Sequence, residues 1–355
     1  MGNGTLDQSS VLQLTDCSGT LVNVSRLNVL AYSRLTASSL SFIGSVSIII
    51  YILKKHKLSS SEIHPLFFLG IADFLLSSVW VVGNALFIHH KDEPCNIVAI
   101  IVWCLELLTH LLTVMYALVT WMKVYEMSMT SSSSRERKAA FNQRRFIIQK
   151  IAYVLCWILP IALTIPRLTS GIPKSDCLRC VTLWAEDLPE NGDEDKWSGI
   201  TMAQYGSTVF IVVLTVSFTA ILVLYGHVRV MIKRVIRGRG VFSSNERAQE
   251  KQIQKRALLY ICVFFICWLL TLIVTMWTRV KGRRLDVKNN AQFGVLMGQA
   301  WTMPMQGFLN CLVYGWSRSN FRNPKNYNAL PFREQINNYG SVPGPGSGSS
   351  LSSSL

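Results

Sequence analysis

Glu106 and His110 stand four residues apart inside an otherwise apolar stretch, Ile97–Met122. On a helix that spacing makes them neighbours on one face. A carboxylate beside an imidazole can contact a polar ligand, exchange a proton or hold a hydrogen-bonded network. Asp73 is the other acid placed among apolar residues, and with Asn310 it suits a buried cation or a water cluster. Ionisable groups in such surroundings are costly and are usually kept for function.

These residues need elements to position them, and the chain supplies seven apolar stretches. They are Val29–Leu53, Pro65–Ile88, Ile97–Met122, Phe146–Pro166, Ile200–Tyr225, Ala257–Thr278 and Phe293–Trp316. Crossing a bilayer takes about 20 mostly apolar residues, and each stretch is long enough. The expectation is an all-α membrane protein whose seven-transmembrane helix bundle occupies residues 29–322. Residues 1–28 form an extracellular N-terminal segment without a signal peptide, and 323–355 a cytoplasmic tail. The tail ends in a Gly/Ser/Pro run that should be disordered. Ser317–Arg322 should form a short amphipathic helix after the seventh span.

Three stretches carry a polar stripe at helical period. One holds Glu106, Thr109, His110, Thr113, Ala117 and Thr120; a second holds Asp73, Ser77, Trp80 and Asn84. The third runs through Gln299, Met303, Gln306, Gly307, Asn310 and Tyr314. Polar stripes avoid lipid, so these helices should share an interior. A ligand cavity is expected near Trp80, Asn84, Trp103, Glu106, His110, Trp268 and Gln299, with Asp73, Asn310 and Tyr314 as an internal polar network.

Orientation follows from charge. With the N-terminus outside, the cytoplasmic segments hold 22 Lys and Arg against 11 on the other side, and Arg34 and Lys150 fall at stretch ends. That bias obeys the positive-inside rule, although Arg279–Lys288 puts five basic residues outside. The formal charge of +15 is therefore mostly a property of one membrane face, suited to anionic lipids or an acidic partner. Nothing else points to nucleic acid. The sequons at Asn3 and Asn23 lie on the expected outer side, where glycosylation occurs. Cys17, Cys95, Cys177 and Cys180 lie there too. A disulfide from Cys95 to Cys177 would tie a long loop over the bundle mouth, with Cys180 the alternative partner.

Four motifs resemble G-protein-coupled receptors. Leu69-Gly70-Ile71-Ala72-Asp73-Phe74-Leu75 resembles the helix-2 signature of these receptors, and Trp157-Ile158-Leu159-Pro160 the helix-4 motif of secretin-type and cyclic-AMP-type members. Gln306-Gly307-Phe308-Leu309-Asn310-Cys311-Leu312-Val313-Tyr314-Gly315 resembles the helix-7 run of cyclic-AMP-receptor-like proteins, and Cys267-Trp268 the rhodopsin-type helix-6 toggle. The resemblance implies a ligand bound in the bundle, extracellular or membrane-soluble, and a heterotrimeric G protein on the cytoplasmic side. The chain departs from that pattern in two places. No acid–arginine pair occurs around Val119–Trp121, and the sixth stretch has neither Pro nor Gly. A non-signalling scaffold or trafficking protein is thus the alternative.

Other classes lack their chemistry. There is no G-x-S-x-G, no phosphate loop and no acid pair of catalytic spacing. His110 has no companion ligands for zinc, and Phe293–Trp316 has no lysine for a retinal Schiff base. No enzyme activity, metal or cofactor is expected. The basic third cytoplasmic loop, with Lys251, Lys255 and Arg256, is the expected partner-binding surface, and the plasma membrane the expected location. Topology is directly testable: an epitope tag after Gly2 should stain intact cells, and one after Leu355 only permeabilised cells. The opposite pattern reverses the orientation.

Overall fold

The computed structural model describes residues 24–54, 63–89, 95–129, 135–169, 202–238, 244–281 and 289–317. Among them are eight helices: α1 (Val24–Lys54), α2 (Ile63–Ile88), α3 (Cys95–Met129), α4 (Arg135–Thr169), α5 (Met202–Gly238), α6 (Ser244–Lys281), α7 (Asn290–Thr302) and α8 (Gln306–Ser317). Asn3, Asn23, Cys17, Cys177, Cys180 and everything after Ser317 lie outside the described residues, as does the Cys95 side chain. So do the side chains of Lys251 and Arg256, whereas Lys255 is exposed on α6.

Six helices, α1 to α6, are long and apolar enough to cross a membrane. In hydrocarbon the backbone has no water to bond, and a helix satisfies it internally. The seventh apolar stretch is not one helix. Asn289 caps α7, its side chain accepting from the N–H groups of Ala291 and Gln292. The chain then turns at Met303–Met305 before α8 begins. Pro304 explains the break, because it has no N–H to give and its ring crowds the preceding turn. The turn is tied on both sides: Met303 N bonds Gln299 O at 3.1 Å and Leu309 N bonds Met305 O at 2.9 Å. With 13 and 12 residues, neither half is long enough to cross alone.

Helix starts and ends alternate between two faces of the bundle. Near the face where α1 and α7 begin, Arg26 donates to Asn290 at 2.7 Å and lies over the Phe293 ring. This end is called the N-terminal face below.

One side of α1 is buried at helical period: Arg34, Ala37, Ser38, Ser41, Ser45, Ile48 and Ile52. Arg34 was expected at a stretch end; instead it lies ten residues into α1 and is 1% exposed. The small residues on this face let α8 approach closely, as small residues do between membrane helices. Gly307 N donates to Ser41 Oγ at 3.0 Å, which satisfies an N–H that the first turn of α8 cannot. A Cβ on Gly44 would sit 2.7 Å from Phe308 Cα.

The apolar core gathers Phe210, Leu214 and Phe218 of α5, Phe264 and Trp268 of α6, and Trp80 of α2. Only 11% of the α4 span is buried, and Ile151, Leu155, Ile158 and Ile165 face outward. Its anchor on α2 is aromatic, with Phe68 5.3 Å from Tyr153 and 6.4 Å from Trp157.

The α1–α8 contact makes a sharp test. Gly44→Ala should destabilise by about 1–3 kcal/mol, since backbone opposite the new methyl cannot yield as a side chain would. Gly226→Ala, with nothing within 4 Å of its Cβ, should be neutral or mildly stabilising. Thermal melting of the detergent-solubilised protein compares them, and equal melting of both variants would dismiss the close approach.

Candidate functional site

Asp73 on α2 anchors the deeper of two polar clusters. It is 3% exposed and accepts from two amides of α8: Asn310 Nδ2 to Oδ2 at 2.8 Å, and Gln306 Nε2 to Oδ1 at 3.2 Å. Gln306 uses its other end as well, its Oε1 accepting from the indole Nε1 of Trp268. One amide therefore ties α6 to α2 through α8. The break at Met303–Met305 makes this possible, because it places Gln306 in the first turn of a new helix. A small cavity beside this cluster, lined by Leu69, Thr113, Tyr116, Tyr260, Phe264, Gln306 and Asn310, has room for about one water-sized molecule. Tyr314 is buried one turn further on, edge-on to Tyr51 at 5.6 Å.

A second polar layer lies nearer the N-terminal face. Arg34, Trp80, Glu106, Thr271 and Gln299 come from α1, α2, α3, α6 and α7. At 1.5 Å per residue, all five sit about 12–17 Å below the helix ends that meet there. Each is 3% exposed or less. Arg34 of α1 and Glu106 of α3 bring opposite charges to this layer. Asn84 lies one turn above Trp80 and donates to its carbonyl at 2.7 Å. Gln299 Nε2 donates to Met303 Sδ at 3.6 Å. No protein partner among the described residues reaches Trp80 Nε1, Asn84 Oδ1, Thr271 Oγ1 or Gln299 Oε1.

His110 joins the two clusters. It sits one turn below Glu106, fully buried, with its ring edge-on to Trp268 at a centroid distance of 4.2 Å. Phe210 and Phe264 lie 5.7 Å away on its other sides. A line of contacts thus runs from His110 through Trp268 and Gln306 to Asp73 and Asn310; neither ring nitrogen of His110 has a hydrogen-bond partner among the described residues, so the expected pairing of His110 with Glu106 is not formed. Trp103, buried a turn closer to the N-terminal face, has Arg167 of α4 5.2 Å over its ring. Among the described residues no group of three or more His, Cys, Asp or Glu could hold a metal ion.

One comparison bears on this arrangement. The profile of the family described as "Transmembrane protein 116" matches residues 27–333. The chain belongs to the transmembrane protein 116 family. The match takes in α2 to α8 whole and nearly all of α1, so both polar clusters lie within what this family shares in length. It supports an integral, multi-pass membrane protein.

Arg34, Thr271 and Ser41 escaped the sequence reading of this family member. Small and polar residues at Ala37, Ser38, Ser41 and Ser45 continue one helical face from Arg34, and that periodicity was the available signal. For the deeper cluster, Gln306→Leu should lower the melting temperature more than Trp268→Phe does. The first strands both a buried carboxylate oxygen and an indole N–H, at about 1–3 kcal/mol each. The second leaves only one amide oxygen without its donor. Reversal of that order would show that Gln306 does not hold the cluster together.

Proposed function

We propose that the chain is a cell-surface receptor that binds a ligand within the bundle and signals to a cytoplasmic heterotrimeric G protein, without enzyme activity of its own. In this reading α7 and α8, stacked end to end, form the seventh span. Together they rise about 37 Å, more than the roughly 30 Å hydrocarbon core. The N-terminal face is extracellular, and the plasma membrane is the site of action. Resemblance of the 306–315 run to cyclic-AMP-receptor-like proteins, together with the charge bias, supports this assignment.

The observation that carries it is the line of contacts from His110 to Asp73. His110 against Trp268, Trp268 to Gln306 and Gln306 to Asp73 give an event at His110 a physical route to the inner half of α2 and α8. On the cytoplasmic side, α5 and α6 reach Gly238 and Ser244, and the basic sequence of this loop suits an acidic partner. Anionic lipid headgroups suit the same loop. The second reading, a non-signalling scaffold or trafficking protein, draws on the tight packing of the upper layer and the missing acid–arginine pair near Val119–Trp121.

Recruitment of G proteins in living cells tests it. The unmodified chain should recruit at least one G-protein class above an empty-vector control. Asp73→Asn should change that signal severalfold, and glutamate at Lys251, Lys255 and Arg256 together should reduce it to background at unchanged surface level. No recruitment of any class by the unmodified chain, at normal surface expression, favours the scaffold.

A further inference from the structure

We propose that the ligand of the bundle is a proton: His110 takes it up from the N-terminal face and, once charged, turns away from Trp268 towards Glu106. This deepens the receptor reading and rests on it in taking the contacts from His110 to Asp73 as the route of the signal.

The surroundings of His110 are the first argument. Its ring is 0% exposed and lies among three aromatic side chains, edge-on to Trp268 at 4.2 Å and 5.7 Å from both Phe210 and Phe264. Neither ring nitrogen has a hydrogen-bond partner among the described residues. A neutral imidazole has one N–H donor and one acceptor, and leaving both buried and unbonded destabilises the fold. Phenylalanine would fill the same cage with nothing left to bond, so packing alone does not call for histidine here. What histidine adds is a change of charge between about pH 5 and about pH 8.

The second argument is where the charged ring can go. An imidazolium has two N–H donors, and none of the three rings around it supplies an oxygen. Glu106 stands one turn nearer the N-terminal face, at the spacing that makes side chains neighbours on a helix, and a carboxylate accepts from several donors at once. The other charged or titratable groups are Arg34 of α1, level with Glu106, Asp73 of α2, beyond Gln306, and Cys267 and Tyr260 of α6. Arg34 opposes a second cation here, whereas Glu106 and Asp73 favour it. From α5 the ring is faced by Phe210, which carries no charge. Once His110 turns to Glu106, Trp268 loses its edge-on partner, and its indole, which donates to Gln306, gains room to move. Gln306 also bonds Asp73, so the shift reaches α2 and α8.

The test uses the full chain in lipid nanodiscs with isotope-labelled histidine. Solid-state NMR distinguishes neutral from charged imidazole, and the signal lost in His110→Phe identifies His110. That signal should be neutral at about pH 8 and charged at about pH 5, and Glu106→Gln should keep it neutral throughout. His110→Phe removes no hydrogen bond and should melt like the parent. Should either variant fail to fold, His110→Gln or Glu106→Met takes its place. In cells, acid outside should raise G-protein recruitment severalfold for the unmodified chain and leave His110→Phe unchanged. The proposal is overturned if His110 stays neutral across the range, or if its titration is the same in Glu106→Gln. Its fate is separable from that of the receptor reading. A His110 that charges in a chain recruiting no G protein keeps the proton site and removes the receptor; recruitment that does not change with pH removes the proton as ligand and keeps the receptor.

Discussion

Hydrocarbon offers a buried polar group nothing to bond, so every charge carried into it dictates which way its helix must turn. In this chain Arg34, Asp73 and Glu106 set the rotation of α1, α2 and α3, and all three are 3% exposed or less. Once α1 turns Arg34 inward, Ser41 and Ser45 follow at helical period and meet Gly307. Turning Asp73 inward carries Ser77, Trp80 and Asn84 with it. The apolar remainder of each helix is then free to face lipid, and α4, whose span carries no acid, does so most completely.

Asp73 also explains why the deeper cluster holds three helices with so few bonds. Leaving a buried hydrogen-bonding group without its partner costs about 1–3 kcal/mol, so each bond made here is costly to break. Two converge on this carboxylate from α8, and Gln306 passes the constraint to Trp268 of α6. In the upper layer Arg34 and Glu106 bring opposite charges from α1 and α3, while Trp80 Nε1, Asn84 Oδ1, Thr271 Oγ1 and Gln299 Oε1 have no protein partner among the described residues. One cluster is saturated and the other is not, which is how a rigid base and a responsive upper half would differ.

Burial of the candidate residues was legible because helical period is a geometric property of sequence. Glu106, His110, Asn84 and Gln299 are buried where their stripes put them. Arg34 was misplaced because a lone cation near the start of an apolar stretch resembles an interfacial anchor, and only the partner on α3 reveals otherwise. The apolar run through 293–316 concealed a helix break, since hydropathy is blind to the missing N–H of Pro304. Trp103 was grouped with Glu106 as a cavity residue, and the contact of its ring with Arg167 of α4 could not be read from α3 alone. Pairings across helices, such as Gln306 with both Asp73 and Trp268, follow from depth and rotation together and could not be read from one helix at a time.

The turn at Met303–Met305 lies immediately above the contact of Gly307 with Ser41. A hinge set against a bolt works as a mechanical filter. Tilting of α7 would be taken up at the turn, while the Gly307–Ser41 hydrogen bond would hold the start of α8 to α1, so translation along the seventh stretch would die within a few residues. What can pass is reorientation of the side chain at the junction, that of Gln306. The inner half of the molecule would then sense the switching of one amide between its two partners, and small drifts of α7 would leave no trace there.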